Sequence, residues 1–323
     1  MARIPPSLKR FAQRMLSPVP RRLSRNHIKA DASKLAALRA SLETHFFAGW
    51  REQNRVSPQV HERELNEHVH EALELYRAQF IPWLDSACGL RGRRVLEIGC
   101  GTAASVVALA EQGALVTGID IDEPSLHVAR DRCTLYGVDV KLERLSADSI
   151  AKFGPNAFDL VLFSASLEHM TSAERLAALQ GAWQILPPGG FLAVMDTPNR
   201  LWYFDQHTSR LPFYHWLPND LAFRYARFSP RDNFREIYAE ETTDSMQHFL
   251  RRGRGVSFHE FDLAIKPATK LKVVSSLVSY RGMLRRWLGS AAGRRYKAAL
   301  MSICPGIHEG FFDPSLELVI QRD

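Results

Sequence analysis

The sequence predicts an α/β fold: a seven-stranded, mostly parallel sheet with helices ahead of it and a helical, loop-rich cap inserted after the fifth strand. Three observations predict it. Short apolar runs alternate with helical runs from Arg93 to Thr197, the pattern of βαβ units. A glycine turn follows the first of these runs and opens a helix. After Thr197 the rhythm breaks into a stretch dense in aromatics and histidines, and strand patterning returns only near the C-terminus.

The elements follow in order. Residues 1–30 carry eight Lys or Arg and no acid, interrupted by Pro5, Pro6, Pro18 and Pro20. Within them Ser7–Leu16 reads as a short amphipathic helix, with Leu8, Phe11, Met15 and Leu16 on one face. A disordered basic arm is the alternative. Leu35, Leu38, Leu42 and Phe46 recur at helical spacing, and so do Leu65, Val69, Ala72, Tyr76, Phe80 and Leu84. His68 and His70, two apart on the second of these helices, read as solvated. Then come a strand at Arg94–Ile98, a helix at Thr102–Gln112 closed by Gly113, and a strand at Ala114–Ile119. Pro124–Tyr136 is helical, with proline in the first turn where its missing N–H does no harm. Val140–Leu145, Phe158–Phe163 and Phe191–Met195 read as strands. Ser172–Leu186 is a helix stopped by Pro187, Pro188, Gly189 and Gly190. Ser257–Ile265 alternates like a strand, residues 268–303 read as helices, and Leu316–Gln321 is a last strand. The implied division is a basic arm (1–30), N-terminal helices (31–90), a core (91–200), a cap (201–255) and C-terminal strands with a helical insertion (256–323).

Composition excludes several classes. No apolar stretch approaches the ~20 residues of a membrane-spanning helix, and the cationic N-terminus lacks the apolar core of a secretory signal. Its Arg-rich, acid-free character leaves an organelle-targeting reading open. Cys88, Cys100, Cys133 and Cys304 are scattered, with no CxxC pair, which fits reduced thiols and no zinc site. The expected location is cytoplasmic, with peripheral contact to an anionic membrane through the arm as an extension of it. The net charge of +7 also suits nucleic acid or a phosphorylated substrate. A solvated surface is the plainer reading, both for the arm and for the cluster Arg281, Arg285, Arg286, Arg294, Arg295 and Lys297.

The chemistry concentrates at Val95-Leu96-Glu97-Ile98-Gly99-Cys100-Gly101-Thr102-Ala103. Gly99 and Gly101 let the backbone bend and approach a ligand, and the helix N-terminus beyond offers free N–H groups. The next strand ends at Asp120, where a carboxylate faces the crevice at the sheet's C-terminal edge and can accept from a ribose diol. A plain tight turn and a helix-capping carboxylate are the bland alternatives. A dinucleotide site usually reads GxGxxG. Here Glu97 precedes the turn, which suits a cofactor bearing an ammonium and a sulfonium and repels a pyrophosphate. An alanine at position 103 is expected to be tolerated provided its φ stays negative.

This run, an acid followed by GxGx with Ala103 in place of the last glycine, resembles the motif of class I S-adenosylmethionine (SAM) methyltransferases. The resemblance covers about residues 90–200 and looks most like the branch containing ubiquinone-biosynthesis O-methyltransferases. Leu145-Ser146-Ala147-Asp148-Ser149 resembles that family's adenine site. Phe158-Asp159-Leu160-Val161 with Leu167-Glu168-His169 resembles its fourth strand and exit, and Leu186-Pro187-Pro188-Gly189-Gly190 its turn into strand five. The resemblance implies a Rossmann-like sheet and SAM as cofactor, held by Glu97, Gly99, Cys100, Gly101, Asp120, Ile121, Asp148, Ser149 and Ser164. By it, Asp148 accepts from the adenine amino group and the Ser149 N–H reaches the ring. Where some relatives carry Glu-x-x-Glu-His, this chain has Ala165 at the first position, so no metal is expected.

Methyl transfer from a sulfonium is an in-line displacement that needs alignment, and a base where the acceptor is a hydroxyl. His169 and His207, after strands four and five, are the expected catalytic bases. Asn199, Arg200, His215 and Trp216, on the loop leaving the catalytic face, are the expected acceptor-binding residues. Ordinary structural roles remain the alternative for each histidine. A small-molecule, glycan or lipid-linked acceptor is the leading reading, with transfer to oxygen. Nucleic-acid methylation is disfavoured, because Ser164-Ala165-Ser166-Leu167 stands where base N-methylation uses Asn/Asp-Pro-Pro-aromatic. A non-catalytic scaffold is disfavoured by the intact acids.

Overall fold

A computed structural model describes residues 27–53, 56–282 and 290–323. The amphipathic segment Ser7–Leu16, nearly all of the basic arm, and Arg285 and Arg286 lie outside the described residues.

The sheet has seven strands: β1 (Arg94–Ile98), β2 (Leu115–Asp120), β3 (Lys141–Arg144), β4 (Leu160–Ser164), β5 (Phe191–Pro198), β6 (Lys272–Ser276) and β7 (Ser315–Gln321). Their order is β3-β2-β1-β4-β5-β7-β6. All neighbours from β3 to β5 are parallel, and β7 runs antiparallel to both β5 and β6. The strand order reverses between β1 and β4, and in such sheets the crevice beyond the carboxyl ends at that point binds ligands.

The strands are apolar because both faces are covered. On one face Val95, Val106, Val107, Leu126, Val128 and Leu160 pack with Leu73, Phe80, Trp83 and Leu84 of the N-terminal helices. On the other, Leu96, Ile98, Val161 and Phe163 pack with Leu179, Ala182, Phe261 and Phe311. The front layer comprises α1 (Ala32–Ser41) and α2, a continuous helical run over 58–88. The indole N–H of Trp83 donates to Ser275 Oγ at 2.9 Å, joining that layer to the sheet edge. The sheet's own helices are α3 (Ala104–Ala110), α4 (Glu123–Tyr136) and α5 (Ser172–Ile185).

Two expectations are corrected. The sixth strand is Lys272–Ser276, not Ser257–Ile265, and it lies in a stretch that read as helical. Phe258–Ala264 is instead a helix, α6, whose Ser257 and Glu260 form a capping box. The Ser257 N–H and hydroxyl both reach Glu260 Oε2, at 3.0 and 2.8 Å. Ser-x-x-Glu is a helix-start signature. The period-2 apolar pattern of the same residues masked it.

The cap has a small core of its own: Leu211, Tyr214, Phe223, Phe234, Tyr238 and Phe249. Arg254 anchors it. Its guanidinium lies 5.0 Å from the Tyr214 ring and donates to the carbonyls of Tyr214 and Leu217 at 3.0 and 2.7 Å.

Candidate active site

Strand β1 delivers Glu97 to the crevice, almost wholly buried. Its Oε1 accepts from the Ser105 hydroxyl of α3, whereas Oε2 is buried with no hydrogen-bond partner. Burial raises the carboxyl pKa to about 8, against the Ser105 hydrogen bond, and the Asp120 charge adds to the rise.

The glycine turn follows. Gly99 (φ +74°) and Gly101 (φ +49°) both lie in the left-handed region. A Cβ on Gly99 would stand 2.6 Å from the Ser166 Cβ, so this position also needs glycine for space. The N–H groups of Gly99 and Cys100 share the Ile119 carbonyl at 2.8 and 3.0 Å, which holds the turn against β2. Ala103 departs from the expectation of a negative φ: it sits at +64°. A left-handed alanine costs about 1–2 kcal/mol. The turn holds it there, since its N–H donates to the Cys100 carbonyl at 2.9 Å and its methyl is fully buried. Cys100 is likewise buried, with its thiol pKa pushed well up.

Asp120 closes β2. Its Oδ2 accepts from the Gly101 N–H at 2.8 Å and its Oδ1 from the Asp122 N–H at 2.9 Å. Burial raises its pKa against those bonds. Ile121 beside it is 58% exposed, an apolar side chain standing open at the crevice lip. Asp148 and Ser149 are exposed on the turn after β3. One expectation fails here: the Ser149 N–H is taken by the Ser146 carbonyl at 3.0 Å, part of a 3₁₀ turn, and does not project outward. The Ser149 hydroxyl donates to Asp148 at 3.1 Å.

At the end of β4, the Ser164 hydroxyl pairs with the Tyr76 hydroxyl at 2.7 Å, bringing α2 into the site. Beyond it the backbone is strained at two places: Ala165 at φ +47° and Asp196 at φ +49°. Asp196 lies where β5 carries one residue more than β7 between paired positions, a β-bulge. Left-handed non-glycine residues gathered at one crevice mark a constrained site. Between them lies Glu168, fully buried, with no well-formed hydrogen bond to either carboxylate oxygen and the Thr197 side chain as a weak polar neighbour. Burial raises its pKa to about 8, and the Asp196 charge adds to this. The Ser166 hydroxyl is also buried and unpartnered.

The histidines separate by environment. His169 presents its Nδ1 to the Arg251 carbonyl at 3.0 Å, and burial lowers its pKa. His207 keeps 40% of its side chain exposed; partial desolvation by the surrounding chain lowers its pKa below the ordinary value, with His169 adding to the effect. Its Nε2 stands 4.0 Å from Glu168 Oε1. Because the imidazole is held neutral and the carboxyl protonated, this is no ion pair at neutral pH. His215 is buried, accepts the Gly255 N–H at Nδ1 (3.2 Å) and places Nε2 3.3 Å from Asp205. Burial works to raise the Asp205 pKa. His215 and the N–H groups of Thr208 and Ser209 outweigh that and hold it well below the carboxylate range.

Three expectations about neighbouring residues are revised. Asn199 is buried, its amide donating to the carbonyls of Phe311 and Asp313 at 2.8 and 2.7 Å while its oxygen accepts from the Leu201 N–H. That leaves it tying the loop to the chain before β7, with no group for an acceptor. His215 is spent in the same way, bracing the cap. His68 is not solvated. It approaches Thr102 Oγ1 at 3.5 Å, lies against Phe46 and Phe47, and burial lowers its pKa to about 4. Only His70 of the pair is exposed. Arg200 and Trp216 are exposed, Trp216 beside Phe213 and Tyr296.

Sequence reasoning passed over Tyr76, Ser166, Asp196, Asp205 and Arg175. The Arg175 guanidinium is buried and donates to the carbonyls of Leu167, Glu168, Arg254 and Gly255. Nothing in a single helical arginine signals that. Asp205 had a signal, since Asp-x-x-Thr-Ser at a loop start is an Asx-turn pattern.

Residues 95–190 match the family described as methyltransferase domain. This segment is a methyltransferase domain. The cofactor that goes with it is SAM, and a buried acid with a free oxygen beside a tight glycine turn fits that cationic group. The chain is similar to ubiquinone biosynthesis O-methyltransferases. It is 34% identical to that of Pseudomonas entomophila (strain L48) over 110 residues, 34% of this chain and 47% of the relative. To that of Azoarcus sp. (strain BH72) it is 36% identical over 110 residues, 34% and 46% respectively. It therefore spans about half the length of the curated relatives it matches. A solved protein of Pyrococcus horikoshii OT3 aligns over 38% of this chain and 52% of its own at 25% identity, with a TM-score of 0.35. Among the described residues no helix is long and apolar enough to cross a membrane.

Proposed function

We propose that this protein methylates a hydroxyl of a small-molecule, glycan or lipid-linked acceptor. The observation that carries the cofactor half is the buried Glu97 with its unpartnered Oε2 beside the Gly99–Gly101 turn. The relatives' printed name supports transfer to oxygen. Glu97 would take the ammonium of SAM, Asp120 the ribose diol, and Ile121 and Asp148 the adenine. Gly99, Cys100, Gly101 and Ser164 line the same crevice, and Ser149 would contribute its hydroxyl.

When bound, SAM supplies a methyl group on a sulfonium sulfur that leaves as a neutral thioether. The chain's own residues align the acceptor and hold its proton. His207 and His169 are both kept uncharged, so each is a proton acceptor. Arg200 and Trp216, exposed at the cap, are placed to meet the acceptor outside the crevice. The domain division is read in the same terms: N-terminal helices closing the front, residues 91–200 holding the cofactor, and the cap taking the acceptor.

The test is turnover. Purified protein, SAM and a panel of phenolic, catecholic and glycan hydroxyl acceptors are assayed for the demethylated product. His207→Ala should lower kcat about 10²–10⁴-fold with SAM affinity nearly unchanged. Calorimetry showing no SAM binding would overturn the proposal.

A further inference from the structure

The two ring nitrogens of His207 have different neighbours, and together these specify its protonation. The Thr208 hydroxyl donates its single proton to the Gly253 carbonyl at 2.9 Å. Its oxygen, 3.2 Å from His207 Nδ1, is then an acceptor, so Nδ1 carries the hydrogen. That leaves the lone pair on Nε2, the nitrogen 4.0 Å from the Glu168 carboxyl. Glu168 is a fully buried carboxyl whose oxygens make no well-formed hydrogen bond and have the Thr197 side chain as a weak polar neighbour, an arrangement that costs folding free energy and calls for a reason. The backbone is built to hold this geometry. Asp205 gathers the N–H groups of His207, Thr208 and Ser209 at 2.9, 2.9 and 2.5 Å, and His215 braces Asp205 from behind.

We propose that Thr208 and Glu168 are positioning residues for His207. Thr208 fixes the tautomer that aims the Nε2 lone pair into the crevice, and Glu168 offsets the charge that appears on the ring when Nε2 takes a proton. This rests on the methyl-transfer reading for its chemistry. The acceptor oxygen forms its bond to the methyl carbon as the carbon–sulfur bond breaks, its electron pair staying on sulfur. The hydroxyl proton passes to His207 Nε2, and the imidazolium then returns it to solvent. Glu168, 4.0 Å away, becomes the counter-charge of that imidazolium once ionised.

Groups facing the pair come from every neighbouring element. Around Glu168 these are Asp196 of β5 and Arg175 of α5. Around His207 they are His169, Asp205, Arg231 and His215. Burial places the Glu168 pKa near 8 and that of His207 near 4, so the two titrate in separate windows.

The test reads the full-length, cofactor-free protein by NMR with isotope-labelled histidine, His207→Gln assigning the resonance. Wild type should show the Nδ1–H tautomer at pH 7. The ring shifts should inflect twice, near pH 4 for the imidazole and near pH 8 for Glu168. Thr208→Val should shift the tautomer toward Nε2–H, and Glu168→Gln should remove the upper inflection while keeping the lower. Should Glu168→Gln not fold, Glu168→Asp keeps the acid and should displace the upper inflection. An Nε2–H tautomer in wild type, or an upper inflection that survives Glu168→Gln or stays in place in Glu168→Asp, overturns the proposal. With a working acceptor, wild-type kcat should rise through pH 8 and the Glu168→Gln profile should lose that limb. Thr208→Val should cost less than the roughly hundredfold or more expected from losing the base itself. Absence of turnover with every acceptor counts against the methyl-transfer reading alone, because the tautomer and the inflection are measured without it.

Discussion

Replacing Glu97 by Gln alters one charge and almost no volume, and its consequences can be worked out separately for the free and the bound protein. In the free protein the carboxyl is buried and its pKa is about 8, so it is roughly nine-tenths protonated at pH 7. Glutamine is close to isosteric with that neutral acid and can still accept from Ser105. Stability should therefore change by less than ~1 kcal/mol at pH 4.5, whereas at pH 7 the variant should be the more stable by about 3 kcal/mol, because the unfolded acid has ionised there and glutamine has no proton to regain on folding. In the bound protein the free Oε2 would meet the SAM ammonium as a charge-assisted hydrogen bond, and losing that costs about 1.5–3 kcal/mol, roughly 10- to 150-fold in Kd. At pH 7 wild type must first shed the Glu97 proton, which cancels about 1.4 kcal/mol of the advantage. The difference between wild type and Glu97→Gln should consequently be about tenfold larger at pH 9 than at pH 7. Isothermal titration at both pH values, in buffers of different ionisation enthalpy, reads the affinity and the proton release together. Equal SAM affinity of the two proteins at pH 9 would refute the reasoning.

Other outcomes follow from the same structure. Gly99→Ala forces a Cβ to 2.6 Å from Ser166 at φ +74°; it should lower the thermal midpoint by several degrees and weaken SAM binding, as thermal melts with and without SAM would show. Glu97 and Glu168 hold protons in the folded state up to about pH 8 but ionise near pH 4.5 when unfolded, so stability should fall as pH rises between those values. The slope is at most about 1.4 kcal/mol per pH unit for each group, and urea midpoints of wild type against Glu97→Gln isolate the Glu97 part. Arg175→Met removes a buried guanidinium that serves four carbonyls and pairs with the largely buried Glu260 at 3.5 Å, and should destabilise the protein by about 3–5 kcal/mol in chemical denaturation.

What the sequence discloses and what it conceals divide along physical lines. Strand β1, its glycine turn and the acid at the end of β2 are legible because they are local. Residues adjacent in the chain make the turn, and strand periodicity gives their direction. The sixth strand was misplaced because residues 257–265 satisfy a period of two and a helical cap at once, and tertiary packing of Phe258 and Phe261 decided between them. Lys272–Ser276 carries little apolar signal, being an edge strand with exposed Lys272 and Val274. The roles of Asn199 and His215 were hidden for another reason. Their partners, at Phe311, Asp313 and Gly255, lie far along the chain, and an aromatic, histidine-rich loop looks the same whether it faces a ligand or its own backbone.

The Arg175 clamp has a mechanical consequence. One buried cation grips the exit of β4 at Leu167 and Glu168, and the strap leaving the cap at Arg254 and Gly255. Prising those two segments apart would strand a guanidinium in a dry interior, so this edge behaves as a riveted seam. Arg254 repeats the device at the cap, gripping the carbonyls of Tyr214 and Leu217 on either side of His215 and Trp216, so the exposed Phe213 and Trp216 beside Tyr296 stand on a segment that is itself pinned. Two guanidiniums, one on each side of the strap at Arg254 and Gly255, thus keep the floor that carries Glu168 in register with the sheet.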